Sequence, residues 1–203
     1  MSLVDWLNGW ARKVPTWMLY IAYLIPVPVL LYMAQTGGLG REPINALERE
    51  LGLIALQLLV IGLCITPLRR FFGLNLIKFR RTIGLLAFTY LVLHLLVWVV
   101  LDMNLLWGQM WADIRKRPYI TVGMAAFALL VPLAVTSNNR SVRALGATWR
   151  KLHLLVYPAA ILGATHFVMV QKVWETEPLI YLAALIGLTA LRIQRDARLP
   201  VRG

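Results

Sequence analysis

Apolar residues occur in six long runs along the chain, and short polar or basic segments separate these runs. A membrane-spanning helix needs about 20 consecutive, mainly apolar residues, and five of the runs reach or approach this length. We therefore predict six transmembrane helices, of which the last is the shortest. They are placed at residues 17–34, 51–68, 82–101, 119–135, 152–170 and about 178–191. The pattern predicts an all-α, polytopic membrane protein whose residues 1–203 form a single domain.

The overall composition agrees with a chain that lies mostly in a lipid bilayer. Hydrophobic residues make up 60% of the sequence, whereas a soluble domain contains about 45–50%. The chain has one cysteine, Cys64, which excludes both an internal disulfide and a CxxCH haem attachment.

Basic residues are distributed unevenly between the predicted connecting segments. If the N-terminus lies in the cytoplasm, 15 of the 21 lysines and arginines fall on the cytoplasmic side. Basic segments tend to stay on the cytoplasmic side of a membrane, so this distribution places both termini in the cytoplasm. The same rule explains the net charge of +12, and we do not expect nucleic-acid binding.

All three histidines fall within predicted spans or at their edges. His94 lies in the third span, and His153 and His166 lie in the fifth. At 1.5 Å per residue, His94 and His166 are each about 20 Å from the inner end of their spans. The two imidazoles are therefore predicted to face each other near the outer side of the membrane, with His153 at the inner edge. Ionisable residues at such positions are costly in lipid and indicate a functional site.

Two imidazoles on neighbouring apolar helices suit haem iron better than they suit a zinc ion or a proton relay. A zinc ion requires further ligands, and a proton relay requires a carboxylate, which the spans lack at this depth. Haem iron is satisfied by two axial imidazoles in an apolar pocket. Ala87, Ala159 and Gly163 share faces with the two histidines and are expected to leave room for a porphyrin. The alternative is that these small residues only allow close helix packing.

The inner edge of the predicted bundle has a different composition. Arg80 lies fourteen residues before His94, close to the same helix face, and Arg81 follows it. These side chains suit haem propionates, a flavin or a quinone, or they only anchor the helix at the cytoplasmic surface. Thirteen residues turn an ideal helix by about 220°, so His153 and His166 lie on different faces unless Pro158 bends the helix.

Five segments of the sequence together resemble one known family. They are GGLG at 37–40, ITPLRR at 65–70, RRTIGLLAFTYLVLHL at 80–95, RPYITVG at 117–123 and WRKLHLLVYPAAILGATH at 149–166. From end to end, the chain resembles the haem-binding membrane subunit of bacterial periplasmic methionine-sulfoxide reductase systems. That family belongs to the wider membrane fold of ferric reductases and NADPH oxidases.

The resemblance implies a particular set of site residues. The fold family holds two stacked haems with two histidines on each of the third and fifth helices. His94 and His166 correspond to the outer pair, and His153 corresponds to the inner ligand of the fifth helix. Arg80 or Arg81 stands in place of the fourth histidine. The resemblance thus implies one or two haems of the b type, with FMN as a further cofactor of the family.

The resemblance also implies a function in the bacterial inner membrane. Electrons would come from the quinone pool or from a cytoplasmic flavin reductase. They would pass to a periplasmic, molybdenum-containing subunit that reduces methionine sulfoxide in oxidised proteins. Catalysis is then expected on that partner, which leaves open whether this chain is itself an enzyme.

Two other hypotheses remain open at the level of the sequence. One is a quinol-linked ferric reductase that uses iron as the final acceptor, and the other is a haem-free membrane scaffold or transporter whose histidines only brace helices. No GxGxxG motif follows the sixth run in this sequence, so we expect a separate electron donor rather than a fused nucleotide-binding domain.

Overall fold

The computed structural model describes residues 2–171 and 173–197, and every regular element among them is helical. The helices are α1 (Leu3–Lys13), α2 (Trp17–Leu24), α3 (Pro26–Gln35), α4 (Pro43–Phe72), α5 (Arg80–Leu96), α6 (Trp107–Lys116), α7 (Pro118–Val135), α8 (Asn139–Leu145), α9 (Ala147–Leu152), α10 (Val156–Val170) and α11 (Thr176–Ala197). Short 3₁₀ turns cover Ile77–Phe79 and His153–Leu155, and a π-helical turn covers Val97–Asp102.

Six helical segments are long and apolar enough to cross a membrane, which confirms the predicted number and order of spans. They are Trp17–Gln35, Pro43–Phe72, Ile77–Asp102, Pro118–Val135, Ala147–Val170 and Thr176–Gln194. The largest difference is in the second span, which begins eight residues earlier than predicted. Proline is favoured in the first turn of a helix, and Pro43 starts α4 there, so the charged residues 48–50 are helical too.

Prolines interrupt two of the spans. The first changes from α2 to α3 at Ile25, directly before Pro26. In the fifth, a 3₁₀ turn at His153–Leu155 separates α9 from α10. Pro158, in the first turn of α10, has no N–H to give to the carbonyl of Leu154, so the regular α-helical pattern is lost at this turn.

Four helices form a closed ring around the centre of the molecule. α4 packs along α5, α5 contacts α7, α7 packs along α10, and α10 contacts α4. α5 and α10 therefore lie on one diagonal of the ring, and α4 and α7 lie on the other. α11 packs outside against α4 and α10, while α2 and α3 pack against α5 and α4. This arrangement places the histidine-bearing helices opposite each other with a helix on either side.

Three of the basic segments predicted to be cytoplasmic meet at one end of the bundle. Lys78 Nζ donates to the carbonyl of Arg12 at 2.8 Å, which joins α1 to the α4–α5 connection. Arg81 Nη1 donates to Asn139 Oδ1 at 2.7 Å, which adds the segment after α7. Their common location agrees with the charge pattern, while the side of the membrane that this end faces stays a prediction.

Candidate cofactor-binding site

His94 and His166 lie side by side across the centre of the four-helix ring. Their ring centroids are 6.3 Å apart, and their planes stand at 77° to each other. Both side chains are half-buried. The structure therefore brings the two imidazoles together, as the sequence predicted; their role as ligands stays a prediction.

Each imidazole is held by a backbone carbonyl on a neighbouring helix. His94 Nδ1 lies 2.8 Å from the carbonyl oxygen of Glu48 on α4. His166 Nδ1 lies 2.8 Å from the carbonyl oxygen of Tyr119 on α7. A carbonyl can only accept, so each Nδ1 carries a proton and donates it to this bond. In a neutral imidazole the proton-free Nε2 is then the atom available to a metal.

The spacing of the rings fits two imidazoles that bind one metal ion. Two metal–nitrogen bonds of about 2 Å, together with the distances from each nitrogen to its ring centre, give a separation of about 6 Å. The observed centroid distance is 6.3 Å. Among the described residues, no group of three or more His, Cys, Asp or Glu side chains forms a metal site by itself. The pair therefore offers two protein ligands to one metal ion.

Two glycines that the sequence analysis did not single out lie against this pair. Gly52 on α4 faces the ring of His94, and Gly123 on α7 faces the ring of His166. A signal was available, because each glycine stands near the start of its apolar span, at the depth of the histidine it faces. Hydropathy alone gave no reason to link a glycine to a residue on another helix.

Two of the small residues expected to make room for a porphyrin are packed by other helices instead. Ala87 is 2% exposed and Ala159 is 0% exposed. Ala87 belongs to the core cluster with residues of α4, and Ala159 packs against Leu130 and Leu133 of α7. That expectation was wrong for both alanines, because their helix faces are turned toward α4 and α7. A Cβ atom at Gly163 would meet no atom of a neighbouring helix within 4 Å, so space remains there.

The start of α7, which supplies the Tyr119 carbonyl, is fixed by polar contacts. Arg117 Nη1 donates to the Tyr119 hydroxyl at 3.1 Å, and Arg117 Nε lies 3.6 Å from Asp113 Oδ1. The Tyr119 hydrogen bond, followed by the nearby negative charge, raises the pKa of Arg117 above its ordinary value. Arg117 therefore remains a cation next to the helix end that holds His166.

His153 lies apart from the pair, in a different environment. Its ring stacks on Trp149 with a centroid distance of 3.8 Å and an angle of 27°. Its Nδ1 lies 3.0 Å from the Trp149 carbonyl, and its Nε2 lies 3.5 Å from Ser137 Oγ. The carbonyl contact makes Nδ1 the donor, so Nε2 is again the atom available to a ligand.

The two arginines predicted to belong to the inner site are both exposed. Arg80 is close enough to His153 to interact with it electrostatically. Arg81 is engaged with Asn139 at the start of α8. The fold therefore brings Arg80 toward His153 and directs Arg81 to the neighbouring connection.

Two comparisons with known proteins show what this chain is similar to. A family model for the ferric reductase like transmembrane component matches residues 50–164. A relative from Agrobacterium fabrum is 45% identical over 181 residues, which cover 89% of this chain and 84% of the relative. A relative from Brucella ovis is 45% identical over 179 residues, covering 88% and 81%. Both are named protein-methionine-sulfoxide reductase heme-binding subunit MsrQ.

The chain belongs to the MsrQ family. The segment that matches the ferric-reductase model contains His94 and His153 together with both glycines of the site, and it ends two residues before His166. The family membership and the six spans together establish a ferric-reductase-like, multi-pass membrane protein.

Proposed function

We propose that the chain is a haem-binding, electron-transferring membrane subunit that serves a methionine-sulfoxide reductase partner. The observation that carries this proposal is the facing pair His94 and His166, with each Nδ1 committed to a carbonyl. The names of the relatives, which describe a heme-binding subunit of such a reductase, support it.

Haem b is the group that this pair suits. Bound here, it supplies a one-electron redox centre in the membrane interior. His94 and His166 would hold its iron through their Nε2 atoms, which are left available by the hydrogen bonds at Nδ1. The protein sets the affinity and potential of such a centre through its axial ligands and their hydrogen bonds.

At the inner end, we propose His153 as the only imidazole available to a second haem. The chain has three histidines, and the other two form the outer pair. Arg80, near His153, would then meet the propionates of that haem, and Arg81 would lie behind it. The protein would hold two haems if His153 suffices as the sole histidine ligand of the second, and one haem otherwise.

FMN is a cofactor that only the family resemblance implies. Neither of two surface cavities has a donor set that fits its phosphate. One, of about 460 Å³, is lined almost entirely by apolar side chains between α1, α4 and α5. The other, of about 370 Å³, contains Arg49 but also Glu42, Glu50 and Glu177, which repel a phosphate. We therefore assign no residue of this chain to FMN.

We place the protein in the bacterial inner membrane with both termini in the cytoplasm. The basic residues gathered at one end support this orientation. The His94–His166 pair then lies toward the periplasm, where a molybdenum-containing reductase subunit would take up electrons. On the cytoplasmic side, the donor would be the quinone pool or a flavin reductase.

Vesicles with a defined orientation test this function. The purified protein should contain haem b. After reduction, it should be reoxidised when the periplasmic reductase and methionine sulfoxide are added to the periplasmic face. Omission of either component should stop the reoxidation. Reoxidation only from the cytoplasmic side would contradict the direction of transfer.

The same preparation separates the alternatives. Reoxidation by ferric iron, but not by the reductase with methionine sulfoxide, would favour a quinol-linked ferric reductase. A folded protein that binds no haem would leave only the scaffold or transporter hypothesis.

A further inference from the structure

Neither glycine of the site has room for a side chain while the imidazole stays in place. A Cβ atom at Gly52 would lie 3.0 Å from Nδ1 and 3.2 Å from Cε1 of His94. At Gly123 the distances to Nδ1 and Cε1 of His166 would be 2.9 Å and 3.1 Å. Nonbonded carbon atoms prefer separations of about 3.5–4.0 Å. Any side chain at either position would therefore push the ring away.

Each glycine also lies one helical turn after the carbonyl that receives the imidazole proton. Glu48 comes four residues before Gly52, and Tyr119 comes four residues before Gly123. In an α-helix, residues four apart share a face, and each Cα–Cβ bond tilts toward the helix N-terminus. A side chain at either glycine would therefore lean over the carbonyl oxygen. Its absence opens the path by which each Nδ1–H reaches the backbone.

We propose that Gly52 and Gly123 are positioning residues for the axial imidazoles. This inference rests on the proposed function, because it concerns the same two ligands. By admitting the Nδ1–H to a carbonyl, each glycine fixes the tautomer, restricts rotation of the ring and makes Nε2 a stronger donor. A stronger donor stabilises ferric iron more than ferrous iron, so both glycines keep the reduction potential low.

The arrangement occurs twice in the molecule. On α4 and α5, the acceptor and the histidine are 46 residues apart in the chain. On α7 and α10, they are 47 residues apart. The two helix pairs differ in sequence, yet each combines a glycine, the backbone carbonyl four residues before it and the Nδ1 atom of a histidine. This repetition favours a role toward the ligands over incidental helix packing.

Alanine substitutions test the proposal, because the carbonyl acceptors are backbone atoms that side-chain mutation cannot remove. Gly52→Ala and Gly123→Ala each add one methyl group, and alanine favours a helix more than glycine does. Gly62→Ala is the matched control on α4, since a Cβ there would lie at an ordinary 3.5 Å from Ile83 Cγ2.

We expect Gly52→Ala and Gly123→Ala to weaken haem binding by about 10- to 100-fold, as is typical when a ligand loses its supporting hydrogen bond. Haem transfer to apomyoglobin measures this loss. The haem that remains should show a raised reduction potential and an altered low-spin EPR signal, because the ring has turned. Gly123→Ala should have the larger effect, since its contacts are closer. Gly62→Ala should match the unsubstituted protein in all three measurements.

Unchanged haem transfer, potential and EPR signal in both site variants would overturn the proposal while leaving the proposed function intact. A wild-type protein without haem would instead overturn the proposed function itself. If the variants do not fold, the wild-type protein still tests the two imidazole–carbonyl hydrogen bonds on which the proposal depends. In the reduced, diamagnetic protein labelled with ¹⁵N-histidine, both axial Nδ1–H protons should exchange slowly with water. Rapid exchange of both protons would overturn the proposal.

Discussion

The imidazole planes of His94 and His166 stand at 77° to each other over a centroid distance of 6.3 Å. If the two imidazoles held haem iron in this orientation, the two iron d orbitals that interact with the ligands would remain almost equal in energy. We therefore predict a strongly anisotropic low-spin EPR signal from the ferric protein. A rhombic signal of the kind given by parallel imidazoles would show that the rings adopt another orientation when haem is bound.

Removal of one axial ligand should have a large spectroscopic effect and a small structural one. In His94→Ala, we expect the low-spin absorption spectrum of the outer haem to disappear while the protein remains inserted. The reason is that no other histidine is placed to replace the lost imidazole, since His153 is held against Trp149. An unchanged Soret band in a folded variant would show that His94 is not a ligand.

The inner position should respond differently. His153→Ala should change the haem stoichiometry, the spin state of an inner haem or the rate of reduction from the cytoplasmic side. The outer low-spin signal should persist, because the His94–His166 pair does not contact this residue's hydrogen-bonding partners. If all three quantities match those of the unsubstituted protein, His153 has only a structural role.

Tyr90→Phe should destabilise the bundle without affecting the site. The Tyr90 hydroxyl donates to the carbonyl of Tyr23 in the first span, and the side chain of Tyr90, on α5, is fully buried. Removal of the hydroxyl leaves the Tyr23 carbonyl without this hydrogen bond and should lower the free energy of unfolding by about 1 kcal/mol. Unfolding in mixed micelles measures the change. Tyr32→Phe is the control, because Tyr32 is 68% exposed and its substitution should have no effect.

The N-terminus of α1 should become less ordered in acid. Ser2 and Asp5 form a reciprocal cap, and hydrogen bonds from Ser2 lower the pKa of Asp5 below its ordinary value of 3.8. Because folding lowers this pKa, the charged carboxylate stabilises the cap fully above pH 3.8. The stabilisation is lost as the pH falls through the pKa of the folded state. Backbone ¹³C shifts of residues 3–5 should follow this loss. Asp5→Asn should remove the pH dependence, and a midpoint above 3.8 in the unsubstituted protein would contradict the expectation.

The number of membrane-spanning helices was predictable because hydropathy is a local property of the chain. Each span must satisfy its own backbone hydrogen bonds in lipid, so a long apolar run folds as a helix whatever its neighbours are. The depth of His94 and His166 followed from the constant rise per residue. The helix breaks at Ile25 and at His153–Leu155 were less accessible, although Pro26 and Pro158 indicated their neighbourhood.

The rotation of each helix about its axis was decided only by tertiary packing. Ala87 and Ala159 share the histidine faces in sequence, but those faces are turned toward α4 and α7. The same rotation brings each imidazole against a glycine and a carbonyl of the adjacent helix, Gly52 and Glu48 for His94. Apolar spans present apolar surface on all sides, so their sequences do not specify which residues will meet. Close packing of the four-helix ring selects one rotation, and that choice determines which carbonyl each imidazole can reach.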